Sequence, residues 1–184
     1  MLFLDVRGFT SMSESAKPRE LVGKLNELWD VCVPVITDRG GHANKFIGDG
    51  MLAVFGAPER HPDHADRAVA AALEVAERVE HHFADTLRVG IGVNSGRVLV
   101  GTVGGGGRLD FTVIGDAVNT AARVEAATRD TGDDVLVTEV TLNLLSNDRD
   151  GWEERPAVPL KGKSQHVRLY ARSARARAQQ DESR

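Results

Sequence analysis

The order of elements in the sequence predicts an α+β domain with a ferredoxin-like βαββαβ core, an antiparallel-rich sheet with helices packed on one face, and strands and helices added at the C-terminal side. Three observations predict it. A short apolar run at residues 1–6 precedes a long stretch of helical period. Two apolar runs then flank Gly48-Asp49-Gly50, as in a hairpin. An alanine-rich helical stretch follows, leading into further strand-like runs.

The first strand ends at Asp5, and Gly8-Phe9-Thr10-Ser11 reads as a turn. From Pro18 to Asp38 the apolar residues Leu21, Val22, Leu25, Leu28, Trp29, Cys32, Val33 and Ile36 recur at helical spacing. Pro18 suits a first turn, whereas Pro34 is expected to bend or shorten the helix. Gly40-Gly41 ends it, and strands are expected at Ala43–Ile47 and Met51–Phe55. A second helix is expected from Pro62 to Phe83, then strands at Leu87–Val93, Arg97–Val103 and Asp110–Ile114, with Gly104–Gly107 as a flexible hairpin loop. Asp116 is expected to cap a third helix of about a dozen residues. A strand at Val135–Thr138, a short helix at Val140–Leu145 and strands at Trp152–Val158 and His166–Tyr170 complete the domain, 1–171. Residues 172–184 lack an apolar period and read as a disordered tail.

The 184 residues, 41% hydrophobic, suffice for one domain with a core. With 23 Lys and Arg against 27 Asp and Glu, the formal charge is -4. No general nucleic-acid surface is expected, so phosphate chemistry must rest on a few placed cations. The single Cys32, set in a helical apolar pattern, reads as a packing residue of a reducing compartment. No apolar run approaches the roughly 18 residues that span a bilayer, and the N-terminus lacks signal-peptide features. A cytoplasmic piece without membrane contact is expected. The abrupt start inside a strand leaves room for a regulatory domain in a longer parent chain.

Asp5 at a strand end and Asp49 at a hairpin tip, both beside glycines, can hold Mg²⁺ while the metal keeps waters and substrate oxygens. Two such ligands are what a pair of metals on a triphosphate needs. By itself, Asp49 reads equally well as a turn former. The histidines at 61, 64, 81 and 82 flank the second helix without a convergent third ligand and read as solvated.

Four segments carry a resemblance. Phe3-Leu4-Asp5-Val6-Arg7-Gly8-Phe9-Thr10 resembles the first metal motif of class III adenylyl and guanylyl cyclases, and Lys45-Phe46-Ile47-Gly48-Asp49-Gly50 their second. Residues Phe111 to Arg123 resemble their signature segment, and Leu160-Lys161-Gly162-Lys163 their late lysine motif. The motifs stand in the family's order over residues 3 to about 170. The resemblance implies a bacterial-type adenylyl cyclase that turns ATP into 3′,5′-cyclic AMP and pyrophosphate with two Mg²⁺ or Mn²⁺ per site. It implies that Asp5 and Asp49, assisted by the Val6 carbonyl, hold the metals, and that backbone N–H groups of Gly8, Phe9 and Thr10 touch phosphates. Asn119 would orient the ribose and Arg123 meet charge on the transferring phosphorus; four residues apart, they share one face of a helix. Arg88 and Lys161 would contact the terminal phosphates.

Lys45 falls at the family's first base-reading position and can only donate, which suits adenine N1. Thr112 falls at the second, where many relatives have aspartate. Its hydroxyl can accept from the adenine amino group, yet can also donate to guanine O6. ATP is the expected substrate, with a guanylyl cyclase as the alternative. A degenerate cyclase-like binding or dimerising module is a further alternative, against which stand both metal aspartates and Arg123. The Gly-Gly-Asp/Glu-Glu-Phe hairpin of diguanylate cyclases is absent.

The family builds each active site between two domains. The metal carboxylates and Arg88 would come from one chain, and Lys45, Thr112, Asn119, Arg123 and Lys161 from the other. One chain carries both sets, so a homodimer with two equivalent sites is expected. The Gly104–Gly107 hairpin is either a dimer arm or a mobile loop. The general base is left open among water, substrate phosphate and Asp5.

Overall fold

The computed structural model describes residues 1–105, 107–146, 150–158 and 167–172. The chain starts with β1 (Leu2–Val6), whose side chains alternate between two buried environments. Leu2, Leu4 and Val6 enter the main core, while Met1 and Phe3 pack on the opposite face. Helix α1 (Phe9–Ser15) follows at once, so the expected turn at Gly8–Ser11 is corrected to a helix start. Gly8 caps it at φ 69°, a left-handed conformation that glycine takes without a Cβ clash.

Helix α2 (Pro18–Asp38) keeps its full expected length, so Pro34 does not shorten it. The carbonyl that Pro34 leaves without a donor belongs to Asp30, which is exposed to water. Strands β2 (Gly41–Ile47) and β3 (Gly50–Phe55) pair antiparallel, with Ile47 opposite Gly50. The two-residue turn is therefore Gly48-Asp49 rather than Asp49-Gly50, with Gly48 supplying φ 63°. Helix α3 (His64–Phe83) begins two residues later than expected, and a 3-10 turn at Ala84–Thr86 moves the start of β4 (Val89–Val93) past Leu87.

These elements form the expected core. The main sheet has the order β2-β3-β1-β4, and β1 is antiparallel to both β3 and β4. Helices α2 and α3 cover one face: Leu28, Cys32 and Ile36 from α2 and Ala68, Ala72, Val75 and Val79 from α3 meet Leu2, Leu4 and Ile91 there. Burial of each large aliphatic side chain stabilises the domain by about 1.5–3 kcal/mol. Cys32 is fully buried, and burial pushes its thiol up to about 12. That is a packing role.

The additions extend the sheet as β7 (Val135–Thr138), β9 (Val167–Arg172) and β8 (Trp152–Val158), with β7 parallel to β4. Helix α5 (Glu139–Leu142) is one turn, capped by Thr138, whose hydroxyl accepts from Thr141 N–H. Arg172 lies in β9 and is buried, so the last strand runs past the expected domain edge; residues 173–184 lie outside the described residues. Strands β5 (Leu99–Gly105) and β6 (Arg108–Ile114) form a separate hairpin, longer than expected, whose strands take in Gly104 and Gly105.

The expected packing of helices on one face holds for α2 and α3 but not for helix α4 (Asp116–Thr131). That helix covers the other face because Phe3, Leu52, Leu136 and Leu169 are apolar there and meet its Ala117, Ala121, Val124 and Ala127. It has 16 residues, and Gly115 rather than Asp116 takes the cap position, without a side-chain cap bond. Two glycines of β4 allow the close approach. A Cβ on Gly92 would lie 2.5 Å from Ala121 O and 2.8 Å from Glu125 Cα, and nearer still to Glu125 N. Asn94 fixes the helix start, donating from Nδ2 to Ala117 O at 3.0 Å while its Oδ1 accepts from Thr138 Oγ1 at 2.9 Å.

Candidate active site

Asp5 occupies the β1 position that pairs with Gly50 on one side and Gly90 on the other. Strand alternation places it on the α4 face, with Phe3. Both neighbours lack side chains, so the carboxylate stands in a gap. A Cβ on Gly50 would lie 3.0 Å from Asp5 Oδ1, and one on Gly90 would lie 3.0 Å from Glu125 Oε1. Asp49, half-buried in the adjoining β2–β3 turn, brings a second negative charge. Burial and then Asp49 push the Asp5 carboxyl above its ordinary range, while the Arg129 guanidinium opposes them.

That donor set suits hard divalent ions. A carboxylate with a second negative charge beside it is relieved by a positive charge shared between the two, and the flanking glycines leave space for water and substrate oxygens. Among the described residues no group of three or more His, Cys, Asp or Glu could hold a metal ion by itself. An ion at Asp5 and Asp49 would have to draw its further ligands from backbone, water or another molecule.

Arg129 and Glu125 complete the neighbourhood, and sequence reasoning missed both. Arg129, on the last turn of α4, donates from Nη2 to Asp5 Oδ2 at 2.5 Å. The same nitrogen lies 3.4 Å from Glu125 Oε1. Glu125 is 4% exposed, and its Oε1 has no hydrogen-bond partner. Burial above all, reinforced by Asp5 and Asp49, pushes its carboxyl up to about 7 against the pull of Arg129 and Arg7. The i,i+4 spacing of Glu125 and Arg129 was a readable signal of an ion pair. Its convergence on Asp5 was not.

Arg88 lies beside the end of β1, where its carbonyl accepts from Arg7 N–H at 2.8 Å. Its guanidinium donates to Asp134 Oδ1 at 3.2 Å, and Arg7 Nη2 approaches the same oxygen at 3.3 Å. Arg7 and Arg88 thus share one counter-ion, Asp134, beyond the end of β1. The N–H groups of Phe9 and Thr10 belong to the first turn of α1, where helix geometry supplies no internal acceptor.

A second group assembles apart from Asp5. Lys45 Nζ donates to Thr112 Oγ1 at 2.6 Å, joining the two expected base-reading positions across 67 residues of sequence. An irregularity in β2 makes this contact. The register shifts between Ala43 and Lys45, so Lys45 sits opposite Leu52 rather than Met51. Leu52 belongs to the α4 face, whereas Met51 belongs to the main core. Asn44 is the extra residue, and both polar atoms of its side chain are buried without a partner.

Asn119 and Arg123 lie on the outward side of α4, away from the stripe of Ala117, Ala121, Val124 and Thr128 that meets the sheet. Among the described residues neither forms a hydrogen bond or ion pair. They do not meet Asp5 within one chain. Lys161 lies outside the described residues.

The family model for the adenylate and guanylate cyclase catalytic domain matches residues 1–172. An adenylate cyclase of Anabaena cylindrica is 35% identical over 185 residues, covering 92% of this chain and 36% of that protein. Among solved structures, a bacterial light-regulated adenylyl cyclase superposes with a TM-score of 0.81 at 27% identity, covering 93% of this chain and 50% of the other. The guanylyl cyclase Cya2 superposes with a TM-score of 0.75 at 37% identity, covering 92% and 88%. The chain spans about a third of the length of the first curated relatives it matches, 31% in one case and 36% in another.

Proposed function

This chain belongs to the adenylate and guanylate cyclase catalytic domain family, and from that premise we propose that it converts ATP to 3′,5′-cyclic AMP and pyrophosphate at sites formed between two copies. Adenylyl and guanylyl cyclases both resemble it, so the choice of base rests on its own residues. The observation that carries adenine is the Lys45–Thr112 contact. Lysine can only donate, so Thr112 spends one lone pair on it and keeps another for the 6-amino group of adenine. Lys45 retains protons for adenine N1, an acceptor where guanine has a donor. The hydroxyl proton of Thr112 supports guanylyl cyclase activity as the second reading, since it can donate to guanine O6.

Asp5 and Asp49, with the Val6 carbonyl, would hold two Mg²⁺ or Mn²⁺ ions, which lower the pKa of the ribose 3′-hydroxyl and neutralise phosphate charge. Around them, the chain positions the triphosphate. Arg88 donates to terminal phosphate oxygens once it leaves Asp134, and Lys161 takes the same task from the opposite side. The backbone N–H groups of Gly8, Phe9 and Thr10 provide further donors. Asn119 orients the ribose, and Arg123 offers a two-pronged donor where negative charge builds on the α-phosphate.

What supports two copies is that Asn119 and Arg123 face outward from α4 while Asp5 lies beneath its last turn. An apolar surface supports the pairing. Phe46 and Ile47 at the end of β2 are 54% and 47% exposed, and Leu99, Val103 and Ile114 on the β5–β6 hairpin are also exposed. Strand register places Leu99 and Ile114 opposite each other, on the hairpin face that also carries Thr112. Apolar groups beside a base-reading residue suit a partner copy better than water. No helix among the described residues is long and apolar enough to cross a membrane.

The test compares cyclic nucleotide formation from Mn²⁺-ATP and Mn²⁺-GTP by the parent and Asp49→Ala. Faster ATP turnover, lost in Asp49→Ala with the fold intact, is the expected result. Faster GTP turnover would reject the base assignment.

A further inference from the structure

Resting on the reading of Asp5 and Asp49 as metal ligands, we infer that Arg129 is a positioning residue that holds the place of the metal at Asp5, and that Glu125 is the second seat to which it retreats when an ion binds. Three observations carry this. The Arg129 guanidinium donates to Asp5 Oδ2 at 2.5 Å, so it occupies an oxygen that an ion needs. Its Nη2 already lies 3.4 Å from Glu125 Oε1, too far for a good charge-assisted bond but close enough for a small rotation to make one. Glu125 Oε1 is buried without a hydrogen-bond partner. A buried carboxylate oxygen left in this condition is costly unless some state of the molecule satisfies it.

Charge accounting favours the exchange. With the arginine on Asp5, one acid of the metal pair is neutralised, which limits repulsion from Asp49 when no ion is bound. A divalent ion at Asp5 repels the guanidinium, which then pairs with Glu125 four residues earlier on the same helix. Arg129 is half-exposed and sits at the end of α4, so it can move without disturbing the core. Metal and arginine therefore compete for one oxygen. The competition sets metal affinity, and it keeps Asp5 preformed before the ion arrives.

The measurement is Mn²⁺ binding to the chain without nucleotide, read by electron paramagnetic resonance of free Mn²⁺, with circular dichroism as the check of fold. Arg129→Gln removes the competitor and should tighten Mn²⁺ about fivefold, the scale of a partly exposed ion pair. Arg129→Lys, which keeps the charge, should stay near the parent. Glu125→Gln removes the second seat and should weaken Mn²⁺ by a similar factor. Unchanged or weaker binding in a folded Arg129→Gln would overturn the inference. The parent gives an independent reading that no variant's folding affects: the Arg129 Nε–H resonance should shift with added Mg²⁺, and a resonance that stays fixed while Mg²⁺ binds also overturns it. Asp49→Asn separates the two levels of the reading. If Asp49→Asn leaves Mn²⁺ binding intact, or the parent binds none, the metal reading itself fails; if Asp49→Asn weakens binding but Arg129→Gln does not tighten it, only the exchange fails.

Discussion

Substituting Gly92 by alanine adds one methyl group at the place where α4 lies closest to the sheet. That methyl would sit 2.5 Å from Ala121 O and 2.8 Å from Glu125 Cα, whereas ordinary contact begins at 3.4 Å. Every atom in the way belongs to the backbone of α4, so no side chain can turn aside. The helix must retreat by about 1 Å, or β4 must bend. Overpacking of this type costs about 1–3 kcal/mol, and rigid backbone on both sides argues for the upper end. For a domain of this size that lowers the melting temperature by roughly 6–12 °C. The displaced helix carries Asn119 and Arg123 outward and Glu125 and Arg129 inward, and a 1 Å misplacement of reacting groups can cost about 100-fold in rate. Thermal denaturation followed by circular dichroism, with cyclic AMP formation at a temperature where the variant is folded, reads both effects. Gly23→Ala, on the exposed side of α2 where a Cβ meets nothing within 4 Å, is the control and should not melt earlier than the parent. A Gly92→Ala chain that melts within about 1 °C of the parent and keeps its turnover would refute the claim that backbone contact at Gly92 fixes α4.

The remaining predictions concern charge and assembly. Glu125 holds its proton up to about pH 7 in the folded chain. Its burial penalty is therefore absent below its unfolded pKa of about 4.5, grows as pH rises, and is complete above about 7. Urea denaturation in metal-free buffer should show Glu125→Gln gaining on the parent across that window, by up to about 3 kcal/mol; a difference independent of pH counts against the assignment. Lys45→Glu replaces an obligate donor by an acceptor and should raise the ratio of GTP to ATP turnover by at least tenfold, about 1.4 kcal/mol of discrimination. A ratio left as in the parent speaks against Lys45 as a reader of the base. Specific activity should fall on dilution as dimers separate, and activity proportional to protein concentration into the nanomolar range would point to a site complete in one chain.

Much of the fold was legible because its signals are local. The apolar spacing from Leu21 to Ile36 specifies a helix whatever surrounds it, and α2 takes the expected bounds even with Pro34 inside. The apolar run of β1 and the glycines around Asp49 likewise announce a strand and a tight turn. Errors came where local signals compete. Gly8-Phe9-Thr10-Ser11 reads as a turn because of its glycine, but that glycine caps a helix. Asp49-Gly50 is a common hairpin pair, yet the strand register makes Gly48-Asp49 the turn.

By itself the sequence supplied the candidates, because Asp5, Asp49, Lys45 and Arg123 stand in short motifs that resemble those of the family and are visible along the chain; the roles the resemblance implies for them are proposals. Tertiary structure alone decided which of them meet. The extra residue Asn44 turns Lys45 to the face where Thr112 waits, and side-chain periodicity cannot reveal a bulge. Arg129 reaches Asp5 across 124 residues because Gly90 and Gly92 let α4 settle onto β4. Contacts of that range depend on how whole elements pack, and no local pattern of charge or hydrophobicity records it.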